Sequence, residues 1–370
     1  MEIRAVESKR DRKEFIRLPW MIYKGDPNWV PPLISEAERI LDPRKNPFWE
    51  HAEQKLFLAV KEGKVVGRVA GIIDRNHIAF HKEKVGFFGF FEAINDYEAA
   101  ELLLSQVRQW LKAKGMKAMR GPLNPCQNEE CGLLVQGFYA PPVMMMTYNP
   151  PYYPELFEKF GLRKVRDLYA YYAPVYPQPP QLLADAADFA RKKHPEATIR
   201  PLNLKRLDEE VQKVKAIYNS AWEKNWGFVP LTDKELTFLV ERLKPLAVPD
   251  LALFVELHGK PVGFLLCIPD LNQALKHING RLLPFAWAKL LYYSRKITDM
   301  RLVIMGVIKE YRMSGLEALL YLVGNRNAYK LGYKGVEFSW ILDINILTRR
   351  AAENYGGKIY KTYRLYEMRI

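Results

Sequence analysis

The sequence predicts a mixed α/β fold built twice in tandem, each copy a twisted sheet flanked by helices. Three observations carry this: motifs that recur at a nearly constant offset, the same order of strand and helix periods in both halves, and a proline-rich seam between them. Ile3-Arg4 recurs as Ile199-Arg200 (199 − 3 = 196). Gly63-Lys64-Val65-Val66-Gly67 recurs as Gly259-Lys260-Pro261-Val262-Gly263, again 196 later. Glu158-Lys159-Phe160-Gly161 recurs as Glu353-Asn354-Tyr355-Gly356, 195 later. Self-similarity at a fixed period marks a repeated unit. A chain of 370 residues also has room for two domains of roughly 150–200 residues each.

Each copy opens with a strand (2–6 and 197–203), followed by helical patterns. In LDEEVQKVKAIYNSAWEK, Val211, Val214, Ile217 and Ala221 fall at helical intervals. A hairpin comes next, KLFLAVKEGKVVGRVAGII in the first copy and LALFVELHGKPVGFLLCI in the second. Then come an apolar strand (GFFGFFEA; MRLVIMGVI) and a helix ending at a glycine suited to a left-handed cap (AAELLLSQVRQWLKAKG; GLEALLYLVGNRNAYKLG). A strand (MKAMRG; GVEFSWIL), a short helix and a closing strand (LYAYYAPV; KTYRLYEMRI) complete the copy. Strand–helix–strand order of this kind builds a mixed sheet with crossover helices.

Pro174, Pro177, Pro179 and Pro180 cannot continue a helix or a central strand, so they mark the seam. The expected organisation is a first domain at 1–175, a linker with a short helix at 176–196, and a second domain at 197–370. Gly115-Met116-Lys117 matches Gly332-Tyr333-Lys334 at an offset of 217 (332 − 115), so each copy has gained residues of its own. The gains fall at 121–152 in the first copy and 268–297 in the second. Function is commonly placed on such loops, which a scaffold then holds.

Composition narrows the class. Hydrophobic content of 49% and charged content of 26% are those of a folded globular protein. The chain starts MEIRAVESKRDRK, charged at once, and no apolar run approaches the roughly 18–20 residues of a membrane span. Three cysteines make no disulfide framework or zinc spacing, and the expectation is a cytoplasmic, reduced protein. His77 and His81 lie four apart on a helical pattern without a third ligand nearby, so no metal is expected. The net charge of +14 suits an anionic partner such as a polyphosphate cofactor, nucleic acid or a membrane surface, and equally a solubilising surface.

The stretches GFFGFFEAIND (86–96), GPLNPCQNEECGLL (121–134), PPVMMMTYNPPYY (141–153) and GGKIYKTYRLYE (356–367) resemble, with the element order above, the GNAT acyltransferase superfamily duplicated in tandem. More closely, the chain looks like the bacterial ceramide synthase-like family of tandem GNAT proteins. The resemblance implies an acyl-CoA-dependent N-acyltransferase. Its acceptor would be a primary amine, a sphingoid-like base by the family name, and coenzyme A would bind without a metal.

That chemistry needs a pyrophosphate anchor, a donor to the thioester oxygen and a base for the amine. Arg312, Met313, Ser314 and Gly315 match the superfamily's anchor pattern, with Glu317 where a last small residue belongs. The same residues read as an ordinary helix start, Ser314 as N-cap and Glu317 closing a capping box. The preceding strand would offer a backbone N–H near Gly306 or Val307, though Gly306 equally suits a plain β-bulge. The first copy has NDYEAAELLL at the equivalent place, with no glycine, and is expected to bind no pyrophosphate. Asn345 keeps the superfamily spacing to Gly356, but Ala352 stands where its tyrosine acid would be, and Phe157 stands there in the first copy.

The 121–152 insertion offers substitutes: Glu130 as a base and Tyr148 as an acid, with Asn124, Asn128, Asn149 and Tyr152 suited to lining a substrate pocket that presents the amine. Met144–Met146 and Tyr152–Tyr153 equally suit core or interface packing. Glu337, alternating with apolar residues on GVEFSWIL, is the other candidate base, and equally suits a salt bridge on an exposed face. The second insertion, 271–298, has no acidic residue and sets Lys276, Arg281, Lys289, Arg295 and Lys296 among Leu, Phe, Trp and Tyr. It reads as a peripheral contact at the inner membrane face, as an acyl-chain lid, or as a helical hairpin packed on the second domain. Two rival functions stay open: a Fem-like transferase using aminoacyl-tRNA, and a non-catalytic GNAT pair that binds lipid or membrane.

Overall fold

A computed structural model describes residues 1–223 and 225–370. The first copy runs β1 (Glu2–Ala5), α1 (Lys9–Arg17), α2 (Pro19–Ile22), α3 (Ile34–Leu41), β2 (Ala52–Lys61), β3 (Lys64–Asp74), α4 (Arg75–His81), β4 (Val85–Ala93), α5 (Tyr97–Ala113) and β5 (Ala118–Gly121). Short strands β6 (Leu123–Asn124), β7 (Glu130–Cys131) and β8 (Leu133–Gln136) follow, then α6 (Tyr153–Phe160) and β9 (Arg163–Pro174). Helix α7 (Gln181–Lys193) comes after the proline run. The second copy runs β10 (Thr198–Pro201), α8 (Leu207–Trp222), α9 (Asp233–Leu243), β11 (Ala252–Leu257), β12 (Lys260–Pro269), α10 (Asn272–Leu275), α11 (Ala286–Ser294), β13 (Asp299–Val307), α12 (Leu316–Lys330), β14 (Gly335–Leu342), α13 (Ile346–Asn354) and β15 (Lys358–Arg369).

The duplication extends to strand register. Arg4 faces Leu58 across β1–β2, and Arg200 faces Phe254 across β10–β11, both residues shifted by 196. The β2–β3 ladder slips at Ala59/Val60 and the β11–β12 ladder at Val255/Glu256, again 196 apart. An ion pair is duplicated with them. Arg4 reaches Glu14 at 2.6 Å, and Arg200 reaches Glu210 at 2.5 Å. In each copy this pair ties the first strand to the first helix.

By their contacts the residues group into two compact units. One comprises Met1–Leu168, Ala274–Tyr292 and Lys361–Ile370; the other comprises Tyr169–Gln273 and Tyr293–Tyr360. In the first unit the strands run β1-β2-β3-β4-β5-β15, antiparallel except for the parallel pair β4–β5. Helix α5 lays Ala99, Ala100, Leu103, Leu104, Val107 and Leu111, all fully buried, on this sheet. Each large side chain there contributes about 1.5–3 kcal/mol of apolar burial. Glycines let the helix come close: a Cβ on Gly67 would stand 2.7 Å from Leu103, and one on Gly86 2.3 Å from Leu111.

In the second unit the order is β14-β13-β12-β11-β10, with β9 beside β14; β13–β14 pair in parallel, and the neighbours from β13 to β10 antiparallel. Leu316, Leu319, Leu320 and Ala328 of α12 fill the core over β11 and β12, joined by Leu183, Ala187 and Ala190 of α7. Packing on the second copy is one of the three readings of the 268–297 insertion. Its residues Ala274–Tyr292 group with the first unit instead. There Trp20 donates its indole N–H to Asn279 Oδ1 at 2.8 Å, and Ile34 donates its N–H to the Gly280 carbonyl at 3.0 Å. No helix among the described residues is long and apolar enough to cross a membrane. His77 of α4 is buried and bonds Glu83 at 2.8 Å, a structural use of that histidine.

The Glu210 pair gives a pH test. Burial alone would raise the Glu210 carboxyl, but hydrogen bonds from Arg200, Lys213 and the Asn203 N–H outweigh it and hold the group at about 2. Its folded value lies below its unfolded one, so its stabilisation is complete above about pH 4.5 and fades as the pH falls toward about 2. Glu210→Gln is expected to cost on the order of 2 kcal/mol near neutrality in urea unfolding. The deficit should shrink as the pH is taken from about 6 to about 2, and a pH-independent deficit would contradict the assignment.

Candidate functional site

Strands β13 and β14 pair in parallel from Asp299↔Gly335 to Leu302↔Phe338 and then part, although β13 runs on to Val307 and β14 to Leu342. The β12–β13 ladder slips at the same level, between Leu266 and Cys267, which re-aims the end of β13. Ile308 donates its N–H to the Val262 carbonyl at 2.8 Å. By the alternation of an antiparallel ladder Gly306 also faces β12, so Met305 and Val307 turn their N–H groups toward the opening. Of the two residues expected to supply a donor, Val307 has the suitable direction. Gly306 instead makes room for α8, since a Cβ there would stand 2.7 Å from both Ala221 and Trp222 of that helix.

On the α8 face of the sheet, beside the opening, lies a buried polar cluster. Glu337 is 1% exposed. Its carboxylate accepts the Tyr360 hydroxyl on one oxygen and the Ser339 hydroxyl on the other. Arg301, opposite Glu337 in the register, donates its Nε to Ser339 Oγ at 3.1 Å and stacks on Trp340 at 5.2 Å. The Trp340 indole nitrogen is buried without a hydrogen-bond partner. Alternation in an apolar strand singles out Glu337 in the sequence. Tyr360 and Arg301 carry no such mark, although an acid buried in a strand needs donors, and the closing strand is rich in tyrosines.

The turn before α12 is built differently from either expectation. Gly315, at φ +85°, is the N-cap, without a side-chain cap. No capping box forms, because the Ser314 hydroxyl donates back to the Tyr311 carbonyl at 2.6 Å. Met313 is also left-handed, at φ +59°, and its side chain is exposed. The Arg312 guanidinium donates to the Ser220 and Ala221 carbonyls at 3.0 Å, fastening α8 to the turn. Burial raises the Glu317 carboxyl above its ordinary value. Asn345 caps α13 by accepting the Thr348 N–H at 3.3 Å, and Ala352 is buried in the core.

The same opening exists in the first unit, where it is filled by the chain itself. Strands β4 and β5 pair only from Val85↔Ala118 to Phe87↔Arg120. Beyond that point β6 enters. A Cβ on Gly89 would stand 1.6 Å from the Leu123 carbonyl, and Asn124 Oδ1 accepts the Phe90 N–H at 2.6 Å. Ala93, the counterpart of Val307, donates its N–H to the Tyr153 hydroxyl at 2.8 Å, while its carbonyl accepts the Tyr152 hydroxyl at 2.8 Å. Residues 347 and 348 are the counterparts of that tyrosine pair (152 + 195 and 153 + 195), and they are Leu and Thr.

Three of the four insertion residues expected to line a pocket, Asn124, Asn149 and Tyr152, bond the chain's own backbone. Asn124 and Tyr152 close the opening, and Asn149 brackets Leu134 with bonds of 2.7 Å to its N–H and 3.1 Å to its carbonyl. Met145 and Met146 are buried. Glu130 pairs with Asn124 across β6–β7, and Asn128 lies in the turn between those strands. The Tyr148 hydroxyl donates to Asp26 at 2.9 Å; burial and that carboxylate hold the phenol above its ordinary range, making it a weaker acid. Behind them lies a carboxylate that the sequence reading passes over. Glu92 accepts the hydroxyls of Tyr23 at 2.9 Å and Tyr153 at 2.7 Å, with Arg68 at 3.7 Å. Burial raises this carboxyl, and burial with the Glu92 charge pushes Tyr152 up to about 12.

The chain is 36% identical over 375 residues to the bacterial ceramide synthase of Caulobacter vibrioides, covering 99% of this chain and 97% of that one. It is equally 36% identical to protein YghO of Escherichia coli K12, over 100% of this chain and 95% of that one. No family model matches. Among solved structures, a tandem GNAT protein of the clavulanic acid pathway matches with a TM-score of 0.58 at 10% identity, over 100% of this chain and 98% of its own. A GCN5-related N-acetyltransferase from Sphaerobacter thermophilus matches at 0.52 and 15% identity, over 100% and 95%. These likenesses show the fold.

Asn124→Ala separates a structural role from a substrate-binding one. Loss of the Phe90 partner is expected to cost about 1–3 kcal/mol in urea unfolding. A variant with unchanged stability and a weakened acceptor KM would return Asn124 to the substrate.

Proposed function

As the chain belongs to the bacterial ceramide synthase family of tandem GNAT acyltransferases, we propose that it transfers an acyl group from acyl-CoA to a primary amine, and that the second copy carries the reaction. The observation that supports this is the contrast between the two openings: the first copy fills its own, and the second directs the Val307 N–H into its own. The relative's name makes a long-chain sphingoid-like base the acceptor to try first.

The second copy's residues fit such a donor. The turn at Met313–Gly315 leads into a helix start whose N–H groups favour a phosphate. The Val307 N–H would stabilise the thioester oxygen as it gains negative charge, commonly the largest catalytic contribution. The amine nitrogen forms its bond to the carbonyl carbon as the carbon–sulfur bond breaks, so one proton leaves nitrogen and one reaches sulfur. Glu337 is the base in this reading. The Tyr360 hydroxyl, held on Glu337, relays the proton and stands in for the tyrosine that Ala352 lacks. This reading gives the proton transfers to Glu337 and Tyr360 rather than to Glu130, Tyr148 or Asn345.

Two measurements bear on this. A long-chain acyl-CoA at about a hundred times its Kd should stabilise the protein by about 2.7 kcal/mol, read as a rise in Tm. Gly315→Asp should remove that rise, since the anion would meet a carboxylate at a left-handed position. Absence of any shift across a panel of acyl-CoAs would overturn the reading. Glu337→Gln should lower kcat by roughly a hundredfold or more while the acyl-CoA shift persists. Full activity in that variant would remove Glu337 from the mechanism.

A further inference from the structure

The second copy's insertion ends in a tip that the fold does not cover. Its base is held in the first unit: Ala274, Leu275 and Ile278 are buried, and Asn279 and Gly280 are bonded to Trp20 and Ile34. Past Gly280 the chain turns outward. Leu283 is 77% exposed, Phe285 79% and Trp287 54%, with Leu282 and Leu291 also exposed. None of the nine residues of α11 is buried. Trp287 and Leu291 lie one turn apart on one side of it, with Lys289 on the opposite side, the polar face of an interfacial helix. Single exposed apolar residues need no explanation, whereas a contiguous set of this size marks an interaction surface.

Charge decides what covers it. Residues 274–292 contain exposed Lys276, Arg281 and Lys289 and no acidic residue. Leu, Phe and Trp at a tip flanked by lysine and arginine suit the boundary between lipid headgroups and acyl chains, where aromatic rings anchor and basic groups meet anionic lipid. A second copy of this chain is disfavoured, since it would bring the same cations together on molecules that each carry +14. We propose that the 281–292 tip docks this protein on an anionic bilayer, with Leu283, Phe285 and Trp287 entering the headgroup region and Lys276, Arg281 and Lys289 on its surface. The contact is peripheral, as the nine residues of α11 are too few to span. It stands independently of the acyl-transfer reading, because it needs no substrate.

The test uses the full chain without substrate and vesicles of phosphatidylcholine with or without phosphatidylglycerol. Co-sedimentation is expected with the anionic vesicles and should weaken with added salt. Brominated phosphatidylglycerol should quench tryptophan fluorescence in the wild type and much less in Trp287→Phe. The double variant Leu283→Asp/Phe285→Asp should bind at least tenfold less while keeping its Tm. Each of Lys276→Gln, Arg281→Gln and Lys289→Gln should lower affinity about fivefold at low salt. Failure to sediment with anionic vesicles overturns the proposal, as does binding that survives the double variant. So does a dimer in size-exclusion chromatography that the double variant dissolves, which would make the tip a copy-to-copy contact. Loss of long-chain acyl-CoA affinity in the double variant without wild-type vesicle binding would make it a lid and overturn the proposal too.

Discussion

When two parallel strands stop pairing inside a sheet, the N–H groups along the opening must find partners, because a buried backbone donor left unmet costs about as much as a lost hydrogen bond. Both copies of this chain contain such an opening, after Phe87/Arg120 in one and Leu302/Phe338 in the other. Most of what distinguishes the copies follows from how each meets that demand. The first uses Asn124, Tyr152 and Tyr153, and the insertion that brings Asn124 into place serves this end. The second has no insertion there, and β14 leads directly into α13. A thioester carbonyl beside Val307 would meet the demand from outside the chain. In the proposed reading, that donor is in place for an oxyanion before the substrate arrives.

The same comparison assigns the polar residues. Glu92 stands where the second copy has Gly306 (92 + 214 = 306, the shift that carries Ala93 to Val307). In the first copy its carboxylate is committed to Tyr23, Tyr153 and Arg68, a set of groups that hold one another. In the second copy that place is bare backbone against α8, and the acid lies on the next strand as Glu337 with Tyr360 and Ser339. Duplication followed by divergence has left one opening closed around a structural carboxylate. Beside the other stands Glu337, the carboxylate proposed above as the base.

Much of the fold can be read from the residues because periodicity and offset are one-dimensional signals. Strand β14 is legible at its observed bounds, and the repeat of Ile3-Arg4 at 199–200 foretells a strand register that the structure repeats with its bulges. Side-chain type cannot reveal what each polar group bonds. Asn124, Asn149 and Tyr152 are the residue types that line a substrate pocket, and here their partners are the chain's own backbone. Ser314 and Glu317 match a capping box letter for letter, yet the left-handed Gly315 moves the helix start one residue on and breaks the match. Glu92 is legible in principle, as the lone acid of GFFGFFEA, and Tyr360 is not, since its bond to Glu337 joins different strands.

The central claim is that one of two duplicated openings accepts an acyl-CoA. Isothermal titration with a non-hydrolysable acyl-CoA analogue tests it most directly, because it counts sites. The account predicts one site per chain, lost in Gly306→Val, whose side chain would force α8 away from β13. Two equivalent sites per chain, or one site that survives the Gly306 change, would contradict it.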